Sequence, residues 1–271
     1  MAQAETMNYF EKLAMASERS QSLLCVGLDP DPARLPRAFQ GRPDGQLLFN
    51  RALIEATQDL VCAYKLNFAF YEATGWNGLT ALSETLRAIS PEIPVIADAK
   101  RSDIDSTAEQ YARAVFQWLG FDAVTVNPYL GGDSLAPFLA YGHKGVYVLC
   151  MTSNPGAADF QVPNGLYLRV AEKARQWNAC GNCGLVVGAT RPEQMAAVRR
   201  AAPDLPFLVP GVGAQGGSAA DAAAAARMED RPGFIINASR SILYASPGGD
   251  FAEAARREAV RLRDEIRSAL G

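Results

Sequence analysis

A single histidine, His143, serves the whole of this 271-residue sequence. A serine–histidine–aspartate arrangement, a histidine general base or a histidine-rich metal site would each have to be built on it. It stands in YGHKG, before an apolar run rather than after one, so those chemistries are disfavoured. Basic runs are missing too. With 26 Lys and Arg against 29 Asp and Glu, the net charge is −3, and nucleic acid is not an expected partner. No apolar stretch has the length that crosses a bilayer, and the opening MAQAETMNYFEKLA is too charged for a secretory signal, so no membrane association is expected. A second CxxC is lacking: CGNC, residues 180–183, stands alone and cannot complete a four-ligand zinc site. A lone pair specifies a redox role only loosely. Of the five cysteines, Cys25, Cys62 and Cys150 lie inside the apolar runs LLCVGL, LVCAYKL and YVLCMT. An odd count in a long chain predicts reduced thiols and a cytoplasmic location.

What the sequence has is a regular alternation. Its short apolar runs are SLLCVGL (22–28), VCAYKLNF (61–68), PVIADAK (94–100), DAVTVN (122–127), GVYVLCM (145–151), GLVVGAT (184–190), PFLVPG (206–211) and FIINAS (234–239). Most are apolar at consecutive positions, as strands buried on both faces are. Between them, STAEQYARAVFQWLG and RPEQMAAVRRAA are amphipathic at helical spacing. FAEAARREAVRLRDEIRSAL closes the chain, and a further helix is expected ahead of the first strand. Eight strands, each followed by room for a helix, predict an α/β fold: a (β/α)8 TIM barrel with an additional N-terminal helix. A doubly wound open sheet alternates in the same way. Eight units rather than six, with no shift of composition, favour the barrel, formed by residues 1–271 as a single domain. DPDPARLPRAFQGRPDG and TSNPGAADFQVPNG, after the first and fifth runs, read as loops at the strand ends where barrel enzymes place their sites.

Polar residues collect at those ends. Asp29 closes the first run, Lys65 and Asn67 the second, Asp98 and Lys100 the third and Asn127 the fourth. Thr152 and Ser153, Pro210 and Gly211, and Ser239 and Arg240 follow the fifth, seventh and eighth. Any one of them reads plainly as a strand end meeting water; together they surround one mouth. In PVIADAKRSDIDST, residues 94–107, Asp98 and Lys100 stand two apart and so share a strand face, with Asp103 close behind. A structural salt bridge is the plainer reading, but a buried one is a poor route to stability. PGVGAQGG, residues 210–217, contains a literal GxGxxG. A dinucleotide fingerprint belongs to the first βα unit, whereas this one follows the seventh strand, where barrels bind phosphate. Arg240 at the end of the eighth run stands ready to close such a cradle.

These stretches resemble one family. DAKRSDIDST resembles the DxKxxDxxxT signature of orotidine 5′-phosphate decarboxylases. LCVGLDPDPARLP, YKLNFAFYEATG, VNPYLGGDSLAPF, MTSNPGAADFQ, VPGVGAQGG and NASRSILYA are similar to the longer bacterial branch, in the family's order and over nearly the whole chain. DxKxxD alone is shared with sugar-phosphate lyases; MTSNPGA, PGVGAQGG and the final SR narrow it.

The resemblance implies a homodimer with shared active sites that converts orotidine 5′-monophosphate to UMP and CO₂, the last step of de novo pyrimidine synthesis, with no cofactor and no metal. By motif position it implies Lys100 as proton donor, in a charged array with Lys65, Asp98 and Asp103. Asp103 and Thr107 would reach the neighbouring subunit's site. Asp29 and Lys65 would hold ribose hydroxyls, Ser153 the pyrimidine edge, and Gln215 and Arg240 the phosphate, with Pro210 and Ser239 lining the pocket. Ser102 and Asp105 depart from the branch's usual glycines, and Asp105 adds a negative charge near the site. Two rivals stand beside this reading. A metal-dependent sugar-phosphate lyase would need a second carboxylate near the third-strand aspartate, where Lys65 stands instead. A non-enzymatic nucleotide-binding barrel would use the charges structurally and turn nothing over.

Overall fold

Asn8 starts the first helix: its side chain accepts the Glu11 amide at 3.0 Å while Glu11 reaches back to the Asn8 amide, a reciprocal cap. The computed structural model describes residues 7–213 and 216–271. Helix α1 (Tyr9–Ser20) precedes strand β1 (Leu24–Gly27), as expected, and lays Tyr9 and Leu13 against the barrel base. Helix α2 (Gly45–Thr57) leads to β2 (Ala63–Asn67), then α3 (Phe68–Glu72) and α4 (Gly75–Ala88) to β3 (Val95–Arg101). Helix α5 (Asp105–Arg113) continues through a π-helical turn, Ala114–Leu119, to β4 (Ala123–Val126). After α6 (Ala136–Leu139) come β5 (Gly145–Met151), α7 (Ala157–Phe160), α8 (Leu166–Trp177) and β6 (Cys183–Val187). Helix α9 (Pro192–Ala201), β7 (Phe207–Pro210), α10 (Ala219–Ala226), β8 (Phe234–Ala238), α11 (Arg240–Leu243) and α12 (Phe251–Ser268) complete the chain.

All eight strands are parallel, each pairs with its neighbour in sequence, and β1 pairs with β8, so the sheet closes. The open-sheet alternative is thereby excluded. Two expectations need correction. The segment after the fifth strand is not a plain loop, since it carries α7 and a helical turn at Pro163–Gly165. The unit after β4 has only a helical turn at Pro128–Leu130 and the single turn of α6, where Pro137 sits in the first helical positions.

Alternation along the strands builds two distinct cores. Leu24, Val26, Tyr64, Leu66, Val95, Ala97, Val124, Val126, Val146 and Val148 face outward into the layer beneath the helices. The intervening residues point into the barrel, and one per strand forms a floor: Cys25, Ala63, Ile96, Ala123, Tyr147, Val186, Leu208 and Ile235. This period of two fixes what lies above the floor. Two residues further along each strand come Gly27, Lys65, Asp98, Thr125, Leu149, Gly188, Pro210 and Asn237. That layer is where the barrel changes from apolar to charged.

Candidate active site

The charged layer opens into a cavity of about 490 Å³ at the C-terminal ends of the strands. Asp29, Lys65, Asn67, Asp98, Lys100, Thr152, Ser153, Pro210, Gly211, Ser239 and Arg240, all strand-end residues in the sequence, line it. A cavity of similar size, about 500 Å³, opens at the opposite end between α1 and α12, but it is mainly apolar and holds no paired acids and lysines.

Lys65 is the buried centre of the array, its side chain only 5% exposed. Its Nζ donates to Asp98 Oδ2 at 2.9 Å and lies 3.5 Å from Asp29 Oδ2. Burial alone would lower the ammonium's pKa; Asp29 and then Asp98 outweigh it and hold the group above its ordinary range. Asp98 is the mirror case. Burial would raise its carboxyl, but Lys65 and Lys100 hold it well below the usual carboxylate range. Lys100 Nζ donates to Asp98 Oδ1 at 2.6 Å and its side chain is 47% exposed, so this cation faces the cavity. Asp29 accepts the Asn67 amide on Oδ1 at 2.9 Å and the Ser239 hydroxyl on Oδ2 at 2.8 Å. Gly27 makes this possible, because a Cβ there would collide with the Ser239 hydroxyl.

The shared face of Asp98 and Lys100 is met, though not by a regular strand. Between Ala97 and Arg101 the register against β4 slips, and Lys100 has φ +47°, a region lysine seldom occupies. Three amides of the glycine-rich turn are committed within the turn. Gly213 donates to the Gly217 carbonyl, Gly216 to Gly213 and Gly217 to Gly211, at 2.8–3.1 Å. Those three amides are therefore not free to face an anion. Arg240 is exposed at the rim, and its guanidinium has no hydrogen-bond or ion-pair partner among the described residues. Gln215 lies outside the described residues.

Asp103 and Thr107 are not part of the cavity lining of this single chain. The Asp103 carboxylate accepts the Ile104 amide at 2.9 Å. Of the two departures, Ser102 takes an ordinary backbone and donates to the Ser134 hydroxyl at 3.1 Å. Asp105 is exposed, also lies off the lining, and adopts φ +47°, a conformation glycine enters freely and aspartate with some strain. His143 is exposed at the opposite end of β5. Within CGNC, Cys180 is exposed while burial pushes the Cys183 thiol up to about 12, the opposite of a reactive thiolate.

Several lining residues escape a reading based on strand ends: Thr125, Leu149, Val186, Leu208 and Asn237. All five lie inside the apolar runs, on the inward parity of their strands. Counting by two back from Asn127 or Ser239 would have found Thr125 and Asn237.

The whole-chain comparisons agree with this geometry. Residues 22–257 match the model of the orotidine 5′-phosphate decarboxylase / HUMPS family. The orotidine 5′-phosphate decarboxylase of Roseiflexus castenholzii is 53% identical over 97% of this chain and 99% of its own length. That of Thermomicrobium roseum is 53% identical over 96% of this chain and 95% of its own. Among solved structures, Leishmania donovani OMP decarboxylase superposes with a TM-score of 0.86 at 42% identity, covering 97% of this chain and 99% of that one. With the family match spanning residues 22–257 and relatives about half identical over nearly the whole of a closed parallel barrel, this chain belongs to the orotidine 5′-phosphate decarboxylase / HUMPS family.

Proposed function

We propose that residues 1–271 act as one domain that decarboxylates orotidine 5′-monophosphate to UMP and CO₂, the last step of de novo pyrimidine synthesis, with Lys100 protonating C6. The observation that carries this reading is the continuous chain Asp29–Lys65–Asp98–Lys100, ending in an ammonium that faces the cavity.

Breaking the C6–carboxylate bond leaves an electron pair in the plane of the pyrimidine, out of reach of the ring's π system. A fixed positive charge beside C6 lowers the cost of that pair, and an N–H in the same place converts it to a C–H bond. Lys100 supplies both: its Nζ gives a proton to C6 as CO₂ departs and regains one from solvent. Asp98 keeps the ammonium charged and aimed, while Lys65 prevents two neighbouring acids from repelling each other. Asp29 and Lys65 face the ribose hydroxyls, Ser153 the pyrimidine edge, Pro210 and Ser239 the pocket wall. Arg240 and Gln215 grip the phosphate, whose distant binding energy is available to organise the reacting end.

The protein works as a homodimer in which Asp103 and Thr107 complete the partner's cavity. Support comes from exposed apolar side chains close to them in the sequence, Ile104 and Tyr111. The free cysteines, four of them buried, support a cytoplasmic setting, and no helix among the described residues is long and apolar enough to cross a membrane.

Purified protein mixed with orotidine 5′-monophosphate should consume its ultraviolet absorbance and yield equimolar UMP, at the same rate with EDTA present. The reason is that an ammonium already occupies the place between Asp29 and Asp98 where a divalent cation would sit. A strict Mg²⁺ requirement would transfer the chain to the sugar-phosphate lyase reading, and UMP binding with no turnover to the non-enzymatic one. On the phosphate side, Arg240→Ala should weaken UMP by about 2–3 kcal/mol, roughly 30- to 150-fold, through loss of a charge-assisted contact. Calorimetric titration checks this; unchanged affinity removes Arg240 from the site.

A further inference from the structure

The Lys100 backbone is held in a conformation that lysine seldom adopts, and one hydroxyl holds it. Ala97 pairs with Val124 and Arg101 with Val126, so four steps along β3 oppose two along β4. The three residues between, Asp98–Lys100, oppose the single Thr125 and so bow from the β4 ladder, with φ +47° at Lys100. Its amide donates instead to the side chain of Thr125, at 3.0 Å from Oγ1. The same hydroxyl donates to Asp98 Oδ1 at 3.0 Å, and that oxygen also receives Lys100 Nζ at 2.6 Å. Lys100 amide, Thr125 hydroxyl, Asp98 carboxylate and Lys100 ammonium thus close a ring. Thr125 is 1% exposed, and its hydroxyl spends its one proton and accepts one in return.

We infer that Thr125 is a positioning residue for the decarboxylation: its hydroxyl pins the bowed β3 backbone and the Asp98 carboxylate together, and so fixes where the Lys100 ammonium stands. Thr125 can act this way only if Asp98 and Lys100 carry the reaction. Valine fills the same volume but offers neither bond. It would leave the Lys100 amide without an acceptor and the Asp98 oxygen with one donor fewer, freeing the turn to relax. A displacement of about 1 Å at a reacting group can cost on the order of a hundredfold in rate. The contacts assigned to the phosphate, the ribose and the pyrimidine edge do not include Thr125, so ligand affinity should persist.

The test compares Thr125→Val, Thr125→Ser and Lys100→Ala with the parent enzyme, measuring kcat, KM and UMP affinity, with circular dichroism to verify folding. Thr125→Val should lose about tenfold or more in kcat, while KM and UMP affinity stay within about threefold. Thr125→Ser keeps the hydroxyl and should remain within about threefold of the parent in kcat. A merely structural threonine would lower the melting temperature of the valine variant without this split. Parental kcat in Thr125→Val beside an inactive Lys100→Ala overturns the role of Thr125 and leaves that of Lys100 standing. An active Lys100→Ala overturns the underlying reading itself. Should the valine variant not fold, serine against alanine at 125 decides: a gap of about tenfold or more in kcat supports the role, and equal rates overturn it.

Discussion

Lys100→Ala is expected to lose at least about three powers of ten in turnover, some 4 kcal/mol of transition-state stabilisation, while folding normally and still binding UMP. Folding should survive because the side chain is half exposed and contributes little core volume. Asp98 is not orphaned by the change, since it keeps the Lys65 ammonium at 2.9 Å and the Thr125 hydroxyl at 3.0 Å. The unusual φ is no harder for alanine than for lysine. Product binding should persist because Arg240 and the wall formed by Pro210 and Ser239 are untouched. What disappears is the exposed ammonium at the cavity, and with it the charge and the proton proposed to act at C6. Parallel measurement of turnover and UMP affinity checks this. Equal losses in both would mean that Lys100 binds rather than reacts.

The second large effect is a gain. Asp103→Ala alone should also be nearly inactive if its carboxylate completes the partner's array. Mixing inactive Lys100→Ala with inactive Asp103→Ala subunits under exchange conditions then creates heterodimers with one doubly defective site and one intact site. Random exchange should restore about a quarter of parental activity, because half the dimers are mixed and half their sites are whole. Distinguishable tags show whether exchange has happened. Exchange without recovery of activity would place Asp103 in its own subunit's chemistry or outside it altogether.

Much of this was legible in the sequence, for identifiable reasons. Strands buried on both faces leave continuous Val, Ile and Leu runs, so all eight were visible and their ends drifted by three residues at most. Asp29, Lys65, Asp98 and Arg240 could be read because a charge ending an apolar run is conspicuous. Thr125 was not conspicuous: threonine is an ordinary strand former, and DAVTVN hides it among apolar neighbours. Only its parity with Asn127 marks it as inward-facing. The bow at Asp98–Lys100 was equally hidden, since a register slip depends on the partner strand and not on local pattern. The helical turns after β5 were masked by proline, glycine and asparagine, which suit loops and helix starts alike. Asp103 and Thr107 have no visible purpose in one chain, because what they are proposed to touch belongs to another.

The most direct measurement concerns the carbanion itself, apart from the loss of CO₂. By microscopic reversibility, an ammonium that delivers a proton to C6 must, once deprotonated, also remove one from UMP. UMP held with the protein in D₂O and followed by proton NMR should exchange H6 for deuterium with the parent enzyme, and should show no exchange above buffer with Lys100→Ala. A parent enzyme that decarboxylates its substrate yet leaves H6 untouched, or a Lys100→Ala variant that exchanges it at the parental rate, would contradict the central role given to Lys100.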